Sequence, residues 1–312
     1  MQPAMLVGKF HKNSLPGKTM KLFIAIPVFN RLEQTRECVE SLERSAFRDF
    51  EIVICDDGST DGTGEYLAEH HPDVKVLRGD GQLWWTGGIN RCLEYILPLA
   101  ADEDLVLTLN NDVVVGPEFL DRMIEAHHAR PRALIGSMVV FKDDPGRIET
   151  AESVHNWTTA KKGYANRFGE PVTDRHHGLT SVPKLCGKGV LIPVTVFRNI
   201  GVYDRHAFPH YAADEDFSMR AANAGYEVLL NFDGRVLSDY KATGIGTRHT
   251  RPVLGEFFRS LFSRRSPNNL IIKWRLTFRH CPRLLIPQHL LLDLARTAGG
   301  FLKRYIQYHL QH

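Results

Sequence analysis

The stretch Ile52-Val53-Ile54-Cys55-Asp56-Asp57-Gly58-Ser59-Thr60-Asp61-Gly62 constrains the fold more than any other part of the chain. An apolar run of strand length delivers two adjacent carboxylates onto a turn-forming segment. Strands of this kind are buried on both faces in parallel sheets. The acids then sit at the strand's carboxyl end, where open α/β sheets bind ligands. Desolvating carboxylates beside a core strand is costly unless something pairs with them, so a ligand is the expected partner. Helix capping offers a second account, because Asp, Ser and Thr favour N-caps. A calcium loop starting at Asp57 does not, since its twelfth position is Ala68 where the motif needs Glu, and a strand precedes it where the motif needs a helix.

The neighbouring segments repeat the same grammar. Leu22–Val28, Phe50–Cys55, Val74–Leu77, Asp104–Leu109 and Ala133–Phe141 read as strands. Between them, Glu33–Ala46, Asp61–His71, Ile89–Leu99 and a segment opened by Pro117 and running through Ala129 have helical spacing. Strands alternating with helices imply right-handed βαβ units and a parallel sheet. After about residue 142 the rhythm changes. Short extended pieces (Ile148–Ser153, Lys184–Ile192, Tyr226–Phe232) and one clear helix, Asp214–Ala224, are expected to add mixed strands and a second ligand wall.

A chain of 312 residues can bury a full core. Its five cysteines (Cys38, Cys55, Cys92, Cys186, Cys281) are scattered without a Cys-x-x-Cys pair. That argues for a reducing compartment and against a disulfide framework or a thiolate zinc site. Residues 1–20 are polar and read as a flexible arm without a signal peptide's apolar region, and no later stretch reaches the roughly 18 apolar residues of a membrane span. The net charge is only +3, yet from Glu256 to His312 ten Lys/Arg face two acids, Glu256 and Asp293. Such asymmetry suggests a separate surface. The expected organisation is an arm (1–20), an α/β domain (21–250) and a basic amphipathic helical tail (251–312), with a Pro/Gly-marked boundary near Gly244–Pro252.

A second acidic strand end, Leu105-Val106-Leu107-Thr108-Leu109-Asn110-Asn111-Asp112, points to a cation. Mg²⁺ or Mn²⁺ uses one or two protein carboxylates and takes its remaining ligands from water and phosphate oxygens. Asp112 alone suffices if a diphosphate completes the shell. Gly87-Gly88-Ile89-Asn90, read as a turn before a helix, suits close approach of backbone N–H groups to phosphate or sugar.

The segments Ile26-Pro27-Val28-Phe29-Asn30-Arg31, Asp56-Asp57-Gly58-Ser59-Thr60-Asp61 and Leu109-Asn110-Asn111-Asp112 resemble the donor half of family 2 (GT-A fold) inverting glycosyltransferases. Gly79-Asp80-Gly81-Gln82-Leu83-Trp84-Trp85-Thr86-Gly87-Gly88-Ile89-Asn90 is similar to the bacterial rhamnosyltransferase-like branch, and ordered matches span roughly residues 22–232. The resemblance implies a GT-A fold with a Rossmann-like nucleotide-binding half, a mixed central sheet and a C-terminal helical extension. It implies that Pro27 and Asn30 shape the first loop around the nucleotide, and that Asp56 or Asp57 accepts hydrogen bonds from base and ribose. Asp112 matches the last Asp of the family's Asp-x-Asp metal motif, with Asn110 in place of the first Asp and Asn111 between them. Trp85 walls the sugar pocket or packs beneath its loop. Cys186-Gly187-Lys188-Gly189-Val190-Leu191-Ile192-Pro193 matches the small-residue strand beside the donor sugar, where Lys188 touches phosphate or faces solvent.

Tyr211-Ala212-Ala213-Asp214-Glu215-Asp216-Phe217-Ser218-Met219-Arg220 resembles the family's acidic helix start, and alignment on Arg220 and Gly225-Tyr226 puts Asp214 in the place of the catalytic base. Acids are also favoured in a first helical turn for dipole reasons alone. The family's histidine metal ligand after the last core strand is missing from Val236-Leu237-Ser238-Asp239-Tyr240, which leaves Asp239 or His249 as substitutes.

The expected activity is metal-assisted inverting transfer of a sugar, from dTDP-rhamnose or a UDP-sugar, to a hydroxyl of a surface glycan or lipid-linked glycan. Rival readings are a sugar nucleotidyltransferase, which would want a Gly-rich basic loop after the first strand, and a catalytically inactive glycan-assembly scaffold. The tail reads as a membrane-surface anchor, or else as a packed hairpin or homodimer partner. It lacks a nucleic-acid-binding module. The expected location is the cytoplasm, peripheral on the inner face of the membrane.

Overall fold

The computed structural model describes residues 20–240 and 252–311. The arm up to residue 19, most of the expected boundary and His249 lie outside the described residues. Four strands form the parallel half of the sheet, β1 (Leu22–Val28), β2 (Phe50–Asp56), β3 (Lys75–Arg78) and β4 (Leu105–Thr108), in the spatial order β3-β2-β1-β4. Their register aligns Leu22 with both Phe50 and Leu105 and brings Val28 beside Asp56. The chain runs from β1 outward to β3 and then returns across β1 to β4. The crevice beyond the carboxyl ends of β1 and β4 is therefore a topological switch point.

Period-two alternation explains the two-sided core. Leu22, Ile24 and Ile26 pack with Cys38, Val39 and Leu42 of α1 (Leu32–Glu43) on one face, and Phe23 and Ala25 pack with Ile89 and Leu93 of α3 (Trp84–Ile96) on the other. The short helix α2 (Thr63–His70) joins β2 to β3.

The second half extends the sheet as expected, with mixed strands. After β4 come β5 (Val113–Val115), α4 (Phe119–Ala129) and β6 (Ala133–Phe141), followed by β7 (Arg147–Thr150) and a separate hairpin of β8 (Ser153–Asn156) and β9 (Lys161–Tyr164). Two short strands, β10 (Glu170–Pro171) and β11 (Leu179–Ser181), precede β12 (Val190–Pro193), which lies antiparallel between β4 and β6. Helices α5 (Val194–Ile200) and α6 (Ala213–Asn223) then lead to β13 (Glu227–Ser238). β13 runs parallel to β6 and ends antiparallel to β5, with Ser238 opposite Val113. That pairing places Asp239 next to Asp112, and the Asp239 N–H donates to the Asp112 carbonyl at 3.1 Å.

Helix α3 begins at Trp84, five residues ahead of the expected start at Ile89. The turn expected at Gly87-Gly88 is thus the first turn of a helix. The cause is Asp57, whose carboxylate accepts the N–H groups of Gly81, Leu83 and Trp84 at 2.8, 2.9 and 3.1 Å, the last two being orphan donors of the helix start, while the Thr86 N–H goes to the Pro209 carbonyl. Gly88 lets α3 close onto β1: a Cβ there would lie 2.8 Å from the Pro27 Cβ. Gly88→Ala should therefore destabilise the fold by about 1–3 kcal/mol, the usual cost of overpacking, read as a lowered midpoint in urea unfolding.

The basic segment forms α7 (Leu254–Ser260), α8 (Leu270–His280) and, after a single 3₁₀ turn, α9 (Ile286–Gln311). α8 joins the main body: Ile272 and Leu276 belong to the core, and Arg279 and His280 both reach Asp216, at 3.1 and 2.9 Å. α9 is tied to the β8–β9 hairpin by Asp293–Lys162 at 2.6 Å and by His289, Gln288 and Arg296 on the carbonyls of Trp157, Thr158 and Thr159. Apolar side chains remain outward, among them Phe262, Phe278, Leu284, Leu291 and Leu310. Among the described residues no helix is long and apolar enough to cross a membrane.

Candidate active site

The loops after β1, β2 and β4 meet at the switch point, and the loop before β12 closes it from the far side. Asn30 and Arg31 follow β1 in the left-handed region, at φ 57° and 68°, which few non-glycine residues adopt. Asn30 stitches this loop to the one after β2. Its N–H donates to Ser59 Oγ at 2.7 Å, and its Oδ1 accepts the Thr60 N–H at 2.9 Å. Asp61 Oδ2 in turn accepts the Leu32 N–H that opens α1. Asn30 and Pro27 therefore stand where the loop is shaped, Pro27 through its contact at Gly88.

The two conspicuous acids part company. Both oxygens of Asp57 are engaged by the α3 start, so its work is internal, and burial raises its carboxyl pKa even against those three donors. Asp56 uses Oδ1 for the Ser59 N–H at 2.9 Å, while Oδ2 faces the start of α2, 2.9 Å from where a Gly64 Cβ would stand. Of the pair, Asp56 is the one that takes no part in the α3 start.

Three other expected donor-site residues are hydrogen-bonded to the scaffold. Asn90 is buried and brackets the backbone of Tyr203, giving its amide to the carbonyl at 2.8 Å and accepting the N–H at 3.2 Å. Asn111 is buried and donates to Thr35 Oγ1 on α1 at 2.9 Å. Gly87 spends its N–H on the Leu83 carbonyl. Each of these bonds ties a motif residue to the scaffold, and a sequence cannot display such a choice of partner.

Four residues that lie far apart in the chain form a continuous wall. The Trp85 indole Nε1 donates to Asn110 Oδ1 at 2.7 Å, so Asn110 anchors the ring. The ring lies against Gly187, where a Cβ would sit 2.8 Å from Cζ2 and 3.4 Å from Asp214 Oδ2. Gly187 donates its N–H to that same oxygen at 2.8 Å, and Glu215 N–H donates to Asp214 Oδ1 at 2.9 Å. Only glycine at 187 lets tryptophan and carboxylate approach from opposite sides.

Asp214 stands at the N-terminus of α6, after Ala212 in the left-handed region at φ 66°. Burial, helped by the neighbouring Glu215 carboxylate, pushes its pKa up to about 6. The three acids of this turn have separate fates. Glu215 pairs with Lys184 at 2.6 Å, and Asp216 is fully buried among Arg220, Arg279 and His280. Against the cost of burial, His280 and Arg220 hold the Asp216 carboxyl below its usual range. Of the three, only Asp214 forms no salt bridge among the described residues, and its pKa lies in the range a general base uses.

Asp112 is the centre of a charged cluster. Arg31 Nη1 lies 3.3 Å from its Oδ2, while Oδ1 is buried without a hydrogen-bond partner. Lys188, expected to touch phosphate or face solvent, is buried, with Nζ 2.8 Å from Glu149 Oε1 and 2.7 Å from Ser238 Oγ. Burial raises the Asp112 pKa, opposed by Lys188 and then Arg31. Burial works to lower that of Lys188, yet Glu149 and Asp112 hold it above the ordinary value. A divalent cation fits this place, because the orphaned Oδ1 is the kind of buried oxygen that a further partner completes, and Asp239 adjoins it. Among the described residues no group of three or more His, Cys, Asp or Glu is assembled as a self-sufficient metal site. Glu149 and Ser238 carry no motif, and no sequence signal singles them out.

The profile of Glycosyl transferase family 2 matches residues 23–184. Over 205 residues the chain is 25% identical to the N-acetylglucosaminyl-diphospho-decaprenol L-rhamnosyltransferase of Mycobacterium tuberculosis, a match covering 60% of this chain and 65% of that protein's length. The mannosyltransferase PcManGT from Pyrobaculum calidifontis, solved with GDP-Man and Mn²⁺, superposes with a TM-score of 0.54 at 14% identity over 93% of this chain and 79% of that one. GalNAc-T7, solved with UDP, GalNAc and Mn²⁺, gives 0.55 at 14% identity over 70% and 44%. The architecture is the GT-A fold, as the sequence motifs imply.

Proposed function

The chain belongs to glycosyl transferase family 2, and from that premise we propose that it moves a sugar from a nucleoside-diphosphate donor to a hydroxyl of a glycan acceptor, with inversion at the anomeric carbon. One observation carries the reading: a carboxylate with pKa about 6, Asp214, is held by backbone N–H groups at the end of the wall made by Asn110, Trp85 and Gly187. Inversion requires the acceptor oxygen to attack from the face opposite the departing nucleotide. A single base must take its proton as the bond forms. Asp214 is that base, and its two backbone donors fix the carboxylate's orientation without neutralising it.

Asp56 and the Asn30 loop receive the nucleoside, and Trp85 with Gly187 walls the sugar. Asp112 and Asp239 are the residues that would hold a divalent ion, Mn²⁺ or Mg²⁺. When bound, such an ion supplies Lewis-acid neutralisation of the charge on the leaving diphosphate. The rhamnosyltransferase similarity favours dTDP-rhamnose over a UDP-sugar as donor, and a lipid-linked glycan as acceptor. An acceptor of that kind fits the outward apolar and basic surface of α7–α9, which would rest on the cytoplasmic face of the membrane. The rival readings lack support in the site: the loop after β1 is not a Gly-rich phosphate cradle, and Asp112 and Asp214 are both in place.

Thermal-shift screening of nucleoside diphosphates and their sugars with Mn²⁺ tests the donor site. Stabilisation by dTDP or UDP is expected, and none by any nucleoside diphosphate would sink the reading. With the stabilising donor, NMR of the product anomeric centre should show inverted configuration, and hydrolysis of donor alone separates a slow enzyme from an inactive scaffold.

A further inference from the structure

The C-terminal basic segment meets the donor side of the fold at one aromatic ring. Trp84, the residue before the wall-forming Trp85, stands in the left-handed region at φ 58°, and Asp57 Oδ2 holds its N–H at 3.1 Å. The carboxylate that opens α3 therefore also fixes this indole at the carboxyl end of β2. Two groups pack on the ring. The His210 imidazole lies 5.7 Å away, centroid to centroid, and the Arg265 guanidinium sits over the ring 5.6 Å from its centroid. Both are carried by braced segments. Thr86 ties the chain before His210 to α3, donating its N–H to the Pro209 carbonyl at 3.2 Å and its hydroxyl to the Phe208 carbonyl at 2.6 Å. Arg265 belongs to the loop between α7 and α8. There Ser263 Oγ accepts the Arg265 N–H at 3.2 Å, and the Asn269 amide donates to the Ser263 carbonyl at 3.1 Å.

The cations on this side of the fold differ in what they still have to offer. Arg31 is paired with Asp112, and Lys188 with Glu149. The exposed Arg265 forms no salt bridge and no side-chain hydrogen bond among the described residues; its ring contact is with Trp84. A guanidinium stacked by its face keeps the N–H groups at its edge free, and that planar fork matches phosphate geometry. His210 carries a second sign of a missing guest, because its Nδ1 is buried without a hydrogen-bond partner. Burial, and then Arg31 and Arg265, hold the imidazole pKa below its usual value, so both guanidinium groups act on the same neutral ring.

We infer that Arg265, stacked on Trp84 beside His210, is a diphosphate-binding residue that the C-terminal segment contributes to the donor site. A nucleoside diphosphate brings several negative charges to a place where Arg31 and Lys188 already have carboxylate partners. Arg265 supplies an unpaired charge, and its edge can take two phosphate oxygens while its face stays on the indole. His210 Nδ1 is the polar atom left beside it for the ligand. Donor binding then draws on residues from both ends of the chain. This inference rests on the donor-site reading above.

Calorimetric titration of the full-length protein with dTDP and UDP, and in parallel with dTMP and UMP, tests this role. Because Arg265 is exposed, Arg265→Ala should leave the fold intact. It should weaken dTDP or UDP binding by about tenfold or more, the usual loss of a charge-assisted phosphate contact. Binding of the monophosphates should change by no more than about twofold, well under the loss of one such contact. Arg265→Lys keeps the charge without the planar fork and should fall between wild type and alanine. An equal loss for mono- and diphosphates would overturn the inference, since the residue would then serve the nucleoside or the fold. Unchanged diphosphate affinity in Arg265→Ala would overturn it as well. A raised KM for the acceptor beside that unchanged affinity would assign the arginine to the acceptor. If the wild-type protein binds no nucleoside diphosphate, it is the donor-site reading that fails.

Discussion

Replacing Asp214 with asparagine is expected to lower kcat by about 10²–10⁴-fold, the usual contribution of a positioned general base, with little change in donor affinity. The substitution keeps the side chain's shape. Its carbonyl oxygen can still accept the Gly187 N–H that Asp214 Oδ2 accepts at 2.8 Å, so the wall with Trp85 should survive. What vanishes is the ability to accept a proton, together with the acceptor that Asp214 Oδ1 offers the Glu215 N–H at 2.9 Å. The wild-type pH profile carries the same signature. A base works in its ionised form, and a folded-state pKa of about 6 means that activity falls as pH drops through 6 and reaches its plateau above it. An ordinary exposed carboxylate would place that limb near 4. Steady-state kinetics with a fixed acceptor across that range checks both points. A profile flat down to pH 5, or full turnover by Asp214→Asn, would remove Asp214 from the role.

The second large effect is expected at Asp112. Asp112→Ala should weaken Mn²⁺-dependent nucleotide binding by about 100-fold or more, as loss of a charge in contact with a cation implies. Nucleotide binding without metal should change far less. Two opposing consequences operate at once. The variant loses the candidate metal ligand, and it also leaves Arg31 without its carboxylate partner. That cation would then face a diphosphate directly, which is why metal-free binding is preserved. Calorimetric titration of dTDP or UDP, with Mn²⁺ and with chelator, separates the two. Unchanged Mn²⁺ dependence in Asp112→Ala would move the metal site elsewhere.

The parallel half of the fold was legible because its information is local. Strands buried on both faces are continuous apolar runs, and their carboxyl ends carry the polar residues that topology then gathers. The positions of Asp56, Asp112 and Asp214 follow from that rule together with the family motifs. Partner choice was less legible. Asp57 and Asp56 are adjacent in sequence and chemically identical, yet one is spent on the N-terminus of α3 and the other is not. Asn90 and Asn110 are both asparagines at motif positions, but Tyr203 and Trp85 claim them from distant elements. Glu149 was invisible for the same reason: its meaning depends on a lysine 39 residues away. The early start of α3 shows how one long-range carboxylate shifts an element boundary that local spacing places later.

The clamp on Asp216 bears on modularity. This fully buried acid takes one of its three partners from its own helix, Arg220, and the other two, Arg279 and His280, from α8. The helix that presents Asp214 and the basic segment therefore share a single electrostatic keystone. A chimera that exchanged residues 251–312 for the corresponding part of another family member would leave this buried carboxylate, two residues from the proposed base, with Arg220 alone, unless the graft brought its own pair of cations. Any replacement of the C-terminal segment is thus tied to α6, whose buried Asp216 it must supply with cations.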